Sequence, residues 1–476
     1  VTEPRPSTPD KPASPAPVAG LSRPVAERWS DSFVFVLAAT GATIGFSNFW
    51  QFPYLVSQNG GGAFILVYLI LAFAVGVPLL ISEVLLGRMG RGSPVAVFRD
   101  LGRSTRAGVR WVVVGGIGVL GGFLIFTYLS VIAGWALGYF VRSVLGVFDG
   151  LTADGVASVF ANMVNDPEKQ LFWHSAFVVA TMLVAARGVR RGLEPAVKLL
   201  VPLLFVLLLV LLTYSAALGG FDDAAAFLFV PDFTRLSPMV WLAALAHLFF
   251  SLSLGMGLML VYGAYLKSEA SVPRVALTVV GLDTFASVAG AVIVFAVLFA
   301  GGVEPAAGPG LVFQAIPLAF DHLPLGRWFA SIFFGLLVVV ALLTAMGLVE
   351  PALVWLHERF GLERRRAVVL CGIIAWALGL VVILSFNHWQ FSFRFLGVEK
   401  RLGAFDLLQI VTAYGMLPLT GLLVAVFAGW MLGAERVRTE LGMRSPCVFD
   451  MWLWLVRLVI PALLLVLFFI LPKLYA

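Results

Sequence analysis

Charge is what this sequence has least of: Asp, Glu, Lys and Arg make up only 12% of its 476 residues, while 61% are hydrophobic. Soluble domains carry about 25% charged residues, so an ordinary soluble fold is excluded. Cysteine is almost absent. Cys371 falls in an apolar run and Cys447 in a connecting segment, which leaves no disulfide framework and no cysteine metal site. Histidine occurs five times, and H-E-x-x-H, G-x-S-x-G and any cluster of metal ligands are missing. The chain is therefore not read as an enzyme. A repeated filter motif is lacking too, which disfavours a channel. The segment before the first apolar run is polar and no small-residue cleavage site follows that run, so a cleaved signal peptide is not expected.

What the sequence does have is apolar runs long enough to cross a bilayer. About eleven begin near Phe33, Ala63, Trp111, Leu171, Val197, Met239, Val275, Trp328, Ala367, Asp406 and Trp452, with the one from Leu171 the shortest. The fold class is all-α integral membrane. With the N-terminus inside, the inner segments hold 22 Lys and Arg and the outer ones 8, so the positive-inside rule places the N-terminus in the cytoplasm and the C-terminus outside. The same bias accounts for the net charge of +6. It faces anionic lipid and is no nucleic-acid footprint. A multi-pass location in the cell inner (plasma) membrane follows.

Residues 1–28, rich in Pro, Ser and Ala, read as a disordered cytoplasmic tail, and 29–476 as a single transmembrane domain. Two outer connections are long, Val141–Gln170 and Gly301–Arg327, the second mixing helix breakers with short apolar pieces as a lid would. Two spans look discontinuous. The first contains Gly41-Ala-Thr-Ile-Gly45-Phe-Ser-Asn48, and the sixth Ser251-Leu-Ser253-Leu-Gly255-Met-Gly257. Small-residue packing between helices accounts for Gly115, Gly116, Gly118, Gly121 and Gly122. It accounts poorly for Asn48 and Ser251, because a polar group at membrane depth must find a partner. Interrupted helices at matching places in two halves point to a transport site.

The stretch from Trp29 to Arg88 carries W-S, G-x-x-x-G-x-x-N, F-P-Y, N-G-G-G-A-F and P-L-x-x-x-E-x-x-x-G-R. It closely resembles the opening of the neurotransmitter:sodium symporter family. Ala133-Gly-Trp135, the pair Gly192 and Pro202, Phe249-Phe-Ser-Leu-Ser-Leu-Gly-Met-Gly257 and Pro418 to Trp430 extend the likeness over nearly the whole chain. The resemblance implies an inverted five-plus-five repeat with discontinuous helices one and six, alternating access, and sodium-coupled symport of a small organic solute. It implies a first sodium site at the carbonyl of Thr43 with Asn48, Ser251 and Asp283. A second would use the carbonyls of Gly41, Ile44 and Val340 and the hydroxyl of Thr344. The family has two hydroxyl residues in a row in span eight, and this chain has Leu343-Thr344, so sodium is expected more at the first site than at the second.

The substrate wall implied by the resemblance is Thr43, Phe46, Ser47, Ile125, Leu129, Phe250, Ser251, Ser253, Met256 and Leu348, with Phe250 as an aromatic lid. Here the chain departs from the family as a set. Leu129 stands where amino-acid carriers place a carboxylate-binding Tyr. Gln51 and Gln409 replace the outer Arg–acid gate, and Asp283 replaces an Asn. Gly45 stands where monoamine carriers put an Asp. Losing both halves of an ion pair together is coherent, since one alone would be a stranded charge. Asp283 could supply from the protein the negative charge that a substrate carboxylate otherwise lends to sodium. The substrate is then amino-acid-like or amine-like: neutral, cationic or an atypical zwitterion.

The anion site of chloride-dependent members corresponds to Tyr68, His247, Ser251, Ser287 and Asp283, where Asp283 would repel an anion, so no chloride requirement is expected. His247 beside Asp283 makes proton coupling an alternative, and a neutral, hydrogen-bonded His is the plainer one. At the inner gate Tyr265 and Glu358 match, but Ala26 occupies the place of the arginine, leaving Arg28 or Arg23 to substitute. Glu83 is expected to brace a broken helix through backbone N–H groups. The altered gates and second ion site also suit a transport-incompetent sensor or scaffold. The expected partners are a small-molecule substrate and membrane lipid, with the protein a monomer or weak dimer.

Overall fold

The computed structural model describes residues 28–105, 108–305, 308, 310–387, 389–395 and 398–475. The expected tail lies outside the described residues apart from Arg28. Among the described residues, eight uninterrupted apolar helices are long enough to cross a membrane: Gly62–Gly90, Val109–Val144, Val189–Ala216, Val272–Gly301, Gly326–Phe360, Arg364–Ser385, Ala404–Met431 and Pro446–Ile470. Three more complete the bundle. The first span is split into Ser32–Thr43, Phe46–Phe49 and Gln51–Gln58, the fourth is Pro167–Ala185, and the sixth is split into Pro238–Ser251 and Leu258–Ala264. The run from Leu171 thus forms a full helix. Spans one to five and six to ten each open with a broken helix, which is the five-plus-five arrangement.

The local sequence explains where helices start. Asp31 caps the first span by accepting the Val34 N–H at 2.8 Å, an N-cap role for which a short carboxylate is suited. That bond holds the Asp31 carboxyl below the usual carboxylate range. Pro238 opens the sixth span at its first turn, where a missing N–H costs nothing.

It also explains where they break. Ile44 and Gly45 are extended, so the i→i−4 ladder stops, and the freed Gly45 N–H donates to Asn48 Oδ1 at 2.8 Å. In the sixth span Ser253, Gly255 and Gly257 take φ of 52°, 76° and 71°, left-handed values that a continuous right-handed helix cannot contain. Glycine is required at 255 for a second reason: a Cβ there would stand 2.4 Å from the Leu417 carbonyl oxygen. The Gly255 N–H donates to Glu83 Oε1 at 2.7 Å, so Glu83 braces the sixth span by its backbone.

The third and eighth spans form the largest helix–helix contact and run through the middle of the bundle. Over one end lie two short helices, Ala153–Val164 and Leu311–Asp321, which occupy the two long connections. A two-stranded antiparallel hairpin, Gln390–Phe395 with Val398–Gly403, joins spans nine and ten. The run Gln390-Phe-Ser-Phe-Arg-Phe395 alternates with period two, the strand signal that would have announced it.

Spans two and six cross backbone to backbone. A Cβ on Gly87 would lie 1.9 Å from the Leu260 carbonyl oxygen, and one on Gly263 would lie 2.5 Å from that of Val84. Gly87→Val should therefore cost at least the roughly 1–3 kcal/mol of overpacking, because backbone cannot yield as a side chain does. Gly116→Val, where open space surrounds the position, should leave the melting temperature in detergent unchanged. Equal melting temperatures for the two variants would refute the crossing as a stability determinant.

Candidate functional site

The two breaks face each other, and four spans meet there. Asn48 Nδ2 donates to Asp283 Oδ1 at 3.0 Å, to Ser287 Oγ at 2.7 Å and to Ser251 Oγ at 3.3 Å. Ser251 Oγ donates to Asp283 Oδ2 at 2.9 Å, and the Tyr68 hydroxyl to the same oxygen at 3.3 Å. Ser253 Oγ donates to the Ala42 carbonyl at 3.0 Å, tying the unwound sixth span to the first. Asp283 is 0% exposed and forms no ion pair among the described residues. A buried carboxyl group surrounded only by neutral donors is poised for a cation. The Asp283 carboxyl and the Ser251 hydroxyl are hard oxygens suited to sodium, and the Asn48 amide oxygen beside them accepts the Gly45 N–H. Thr43 Oγ1 donates back to Thr40 O at 3.1 Å, so the Thr43 hydroxyl is engaged in its own helix.

Two residues of span eight meet the broken first span where the second site is expected. The Thr344 hydroxyl is buried without a hydrogen bond among the described residues and stands 3.2 Å from where a Gly45 Cβ would be. Leu343 packs on Gly41, its Cδ2 3.1 Å from the corresponding point. Val340 and Ile44 are fully buried. One orphaned hydroxyl thus faces the broken first span, with a leucine filling the adjacent place.

Of the substrate wall, Phe46, Ser47, Ile125, Leu129, Ser251, Ser253, Met256 and Leu348 are all buried, and Phe250 is half-buried. Ile125 and Leu129 share one face of the third span, being four residues apart. Met256 and Leu348 close on that span at Gly122, where a Cβ would meet both backbones. Tyr128 does not replace the missing tyrosine. Its hydroxyl lies 3.4 Å from Thr412 Oγ1 of span ten, and its ring packs on Phe405.

Both ends of the bundle are shut over this centre. At one end Phe313, from the lid Leu311–Asp321, stacks on Phe46 at 6.2 Å and contacts Trp135, Tyr139 and Phe160. Trp50 Nε1 donates to Gly308 O at 2.9 Å. Gln51 pairs with His247 Nδ1 at 3.4 Å and is not bonded to Gln409, which is half-buried in span ten. His247 Nε2 is buried without a partner among the described residues, and the ring packs on Phe52 and Tyr68. His247 therefore shares Tyr68 with Asp283 rather than touching it.

At the other end Trp29 is locked against Tyr262 and Tyr265 by ring contacts and by its Nε1 bond to Tyr262 O. Tyr265 donates to Glu350 Oε1 at 2.8 Å, and Arg364 reaches both Glu350 oxygens at 2.8 and 2.7 Å. Glu358 accepts from the Ser93 N–H at 2.9 Å and from its hydroxyl. Arg28 is exposed and not paired with it, and Arg23 lies outside the described residues. Arg364 was not anticipated; three consecutive arginines open span nine, and composition cannot say which one turns inward.

Comparison with known proteins agrees with this architecture. The family model described as the sodium:neurotransmitter symporter family matches residues 26–149 and 165–474. An uncharacterized sodium-dependent transporter of Haemophilus influenzae is 32% identical over 449 residues, covering 93% of this chain and 97% of its own. One from Bacillus subtilis is 30% identical over 447 residues, covering 93% and 96%. The crystal structure of MhsT in complex with L-phenylalanine superposes with a TM-score of 0.84 at 36% identity, covering 94% of this chain and 99% of that one.

The Glu350–Arg364 pair makes a direct test of the closed end. Arg364→Met strands a fully buried carboxylate and should cost about 3–5 kcal/mol. Combining it with Glu350→Met should recover most of that in a melting measurement. If the double variant is as unstable as the single one, the pair is not what the arginine contributes.

Proposed function

The chain belongs to the sodium:neurotransmitter symporter family, and from that premise we propose that it is a sodium-coupled symporter of a small organic solute held without the usual carboxylate anchor. The coarser statement, a sodium-dependent membrane transporter, rests on the family itself. The single observation that carries the finer one is Asp283: a buried carboxyl group beside the helix break, bonded only to neutral donors. Sodium held by the Thr43 carbonyl, Asn48, Ser251 and Asp283 neutralises it there. Binding then removes the cost of a buried charge and draws spans one, six and seven together.

The substrate sits between the two breaks, against Phe46, Ser47, Ser253 and the apolar face of Ile125 and Leu129. Leu129 offers no hydroxyl to a carboxylate, and Gln51 with Gln409 gives a neutral outer gate. These support an amino-acid-like or amine-like solute whose recognition does not depend on an α-carboxylate. MhsT was solved with L-phenylalanine, which keeps amino acids in the class to be tested. A chloride requirement is not part of the reading, because Asp283 carries the charge an anion would bring. The arginine-rich inner segments support a plasma-membrane orientation with the N-terminus inside. The two closed ends support alternating access. Opening one end releases Phe313 from Phe46; opening the other separates Trp29 from Tyr262 and Tyr265.

One observation favours a second reading. Both gate residues and one ligand of the second ion site are altered together, as a non-transporting sensor on the same fold would allow. Saturable, sodium-stimulated uptake into proteoliposomes excludes it.

Two measurements test the first reading. Asp283→Asn should abolish sodium-dependent substrate binding; retention of both binding and its sodium dependence refutes the role of Asp283. Leu343→Thr restores the missing hydroxyl beside Thr344 and should lower the sodium concentration for half-maximal stimulation several-fold. No change would mean that position 343 does not face an ion.

A further inference from the structure

The fourth and ninth spans, antiparallel neighbours at the side of the bundle, enclose an apolar trough of about 500 Å³. Its rim residues Val179, Leu183, Val369 and Ile373 are 56–61% exposed, so it opens outward, away from the transport site. Both ends of the trough are defined. At one, Trp376 Nε1 donates to Ser175 Oγ at 2.9 Å and bridges the two helices. At the other, Arg364 Nε donates to Ala185 O at 2.7 Å, and Arg365 lines the opening.

Ser175 to Ala186 on one helix and Arg365 to Trp376 on the other each cover eleven residue steps, or about 16 Å at 1.5 Å per residue. That is close to half of the roughly 30 Å hydrocarbon thickness of a bilayer. The trough is therefore as deep as one leaflet, with its polar bridge near the midplane and its arginine at the headgroup level. Its floor is open because position 372 is glycine; a Cβ there would come within 3.2 Å of Met182 Cγ.

Charge distinguishes the occupant. Arg364 is consumed by Glu350 and Arg366 lies 4.0 Å from Glu363, whereas Arg365 is exposed and forms no ion pair among the described residues. Arg187 stands exposed one residue beyond Ala186. A guanidinium suits a phosphate, and basic groups at this depth favour a lipid of net negative charge over a zwitterionic one.

We propose that this trough is a binding site for one anionic phospholipid, an acyl chain lying between spans four and nine and its phosphate on Arg365. The site rests on the membrane reading of the chain and is independent of what the protein transports.

Native mass spectrometry of the full chain, titrated with phosphatidylglycerol or with phosphatidylcholine of the same acyl chains, tests it. The unaltered protein should retain one phosphatidylglycerol at several-fold lower concentration than phosphatidylcholine. Arg365→Ala should remove that preference while leaving lipid uptake, and Gly372→Leu should weaken both lipids several-fold. Val369→Trp narrows the trough from its exposed rim and serves if Gly372→Leu does not fold. Equal retention of the two lipids by the unaltered protein would overturn the proposal. So would preserved headgroup preference in Arg365→Ala, or a dimer whose formation excludes lipid, which would make a second copy of the chain the occupant. A failure of sodium-stimulated uptake would leave these results untouched.

Discussion

The centre of this protein depends on a carboxyl group placed where neither water nor a basic side chain reaches it. Asp283 is held by Asn48, Ser251 and Tyr68, three groups from three other spans. Such a group in a low-dielectric interior must be neutralised or fully hydrogen-bonded. The helix breaks serve that requirement. Continuous helices would commit the backbone polar groups of Gly41–Asn48 and Ser251–Gly257 to their own ladders, and the side chains of Asn48 and Ser251 would not converge on span seven. Breaking both helices frees oxygens at one depth and makes the middle of the bundle a place for a cation.

The breaks are costly, and the surroundings hold them in place. Gly45 N–H is taken by Asn48, Gly255 N–H by Glu83, and Ala42 O by Ser253. Each freed backbone group named here has a partner within the bundle, as backbone at membrane depth requires. The same logic explains why glycine is concentrated where spans two and six cross. The unwound segment can be gripped only if the neighbouring backbones come within contact, and a Cβ at Gly87 or Gly263 would prevent that.

The two ends close by different physics. At the lid end closure is aromatic: Phe313 gathers Phe46, Trp135, Tyr139 and Phe160, and the former gate positions carry only glutamines. At the other end an ion pair remains, but it joins spans eight and nine through Glu350 and Arg364 while Glu358 is occupied by Ser93. Ring contacts are weaker per pair than a buried bidentate ion pair is to break. The lid end should therefore be the softer of the two.

The sequence by itself determined the membrane class, the number of spans and the two broken helices. Apolar run length and misplaced polar residues are local properties, and the bilayer converts them directly into architecture. It also brought Asn48, Ser251 and Asp283 to one candidate site, through the resemblance to the symporter family. What only the tertiary structure decided were partnerships between distant side chains. Arg364 rather than Arg365 turns to Glu350, Tyr128 turns to Thr412, and His247 meets Gln51 and Tyr68 instead of Asp283. Successive arginines at 364–366, like Tyr128 and its neighbour Leu129, differ by about 100° in direction along a helix, and the packing of the other spans alone fixes which one points inward.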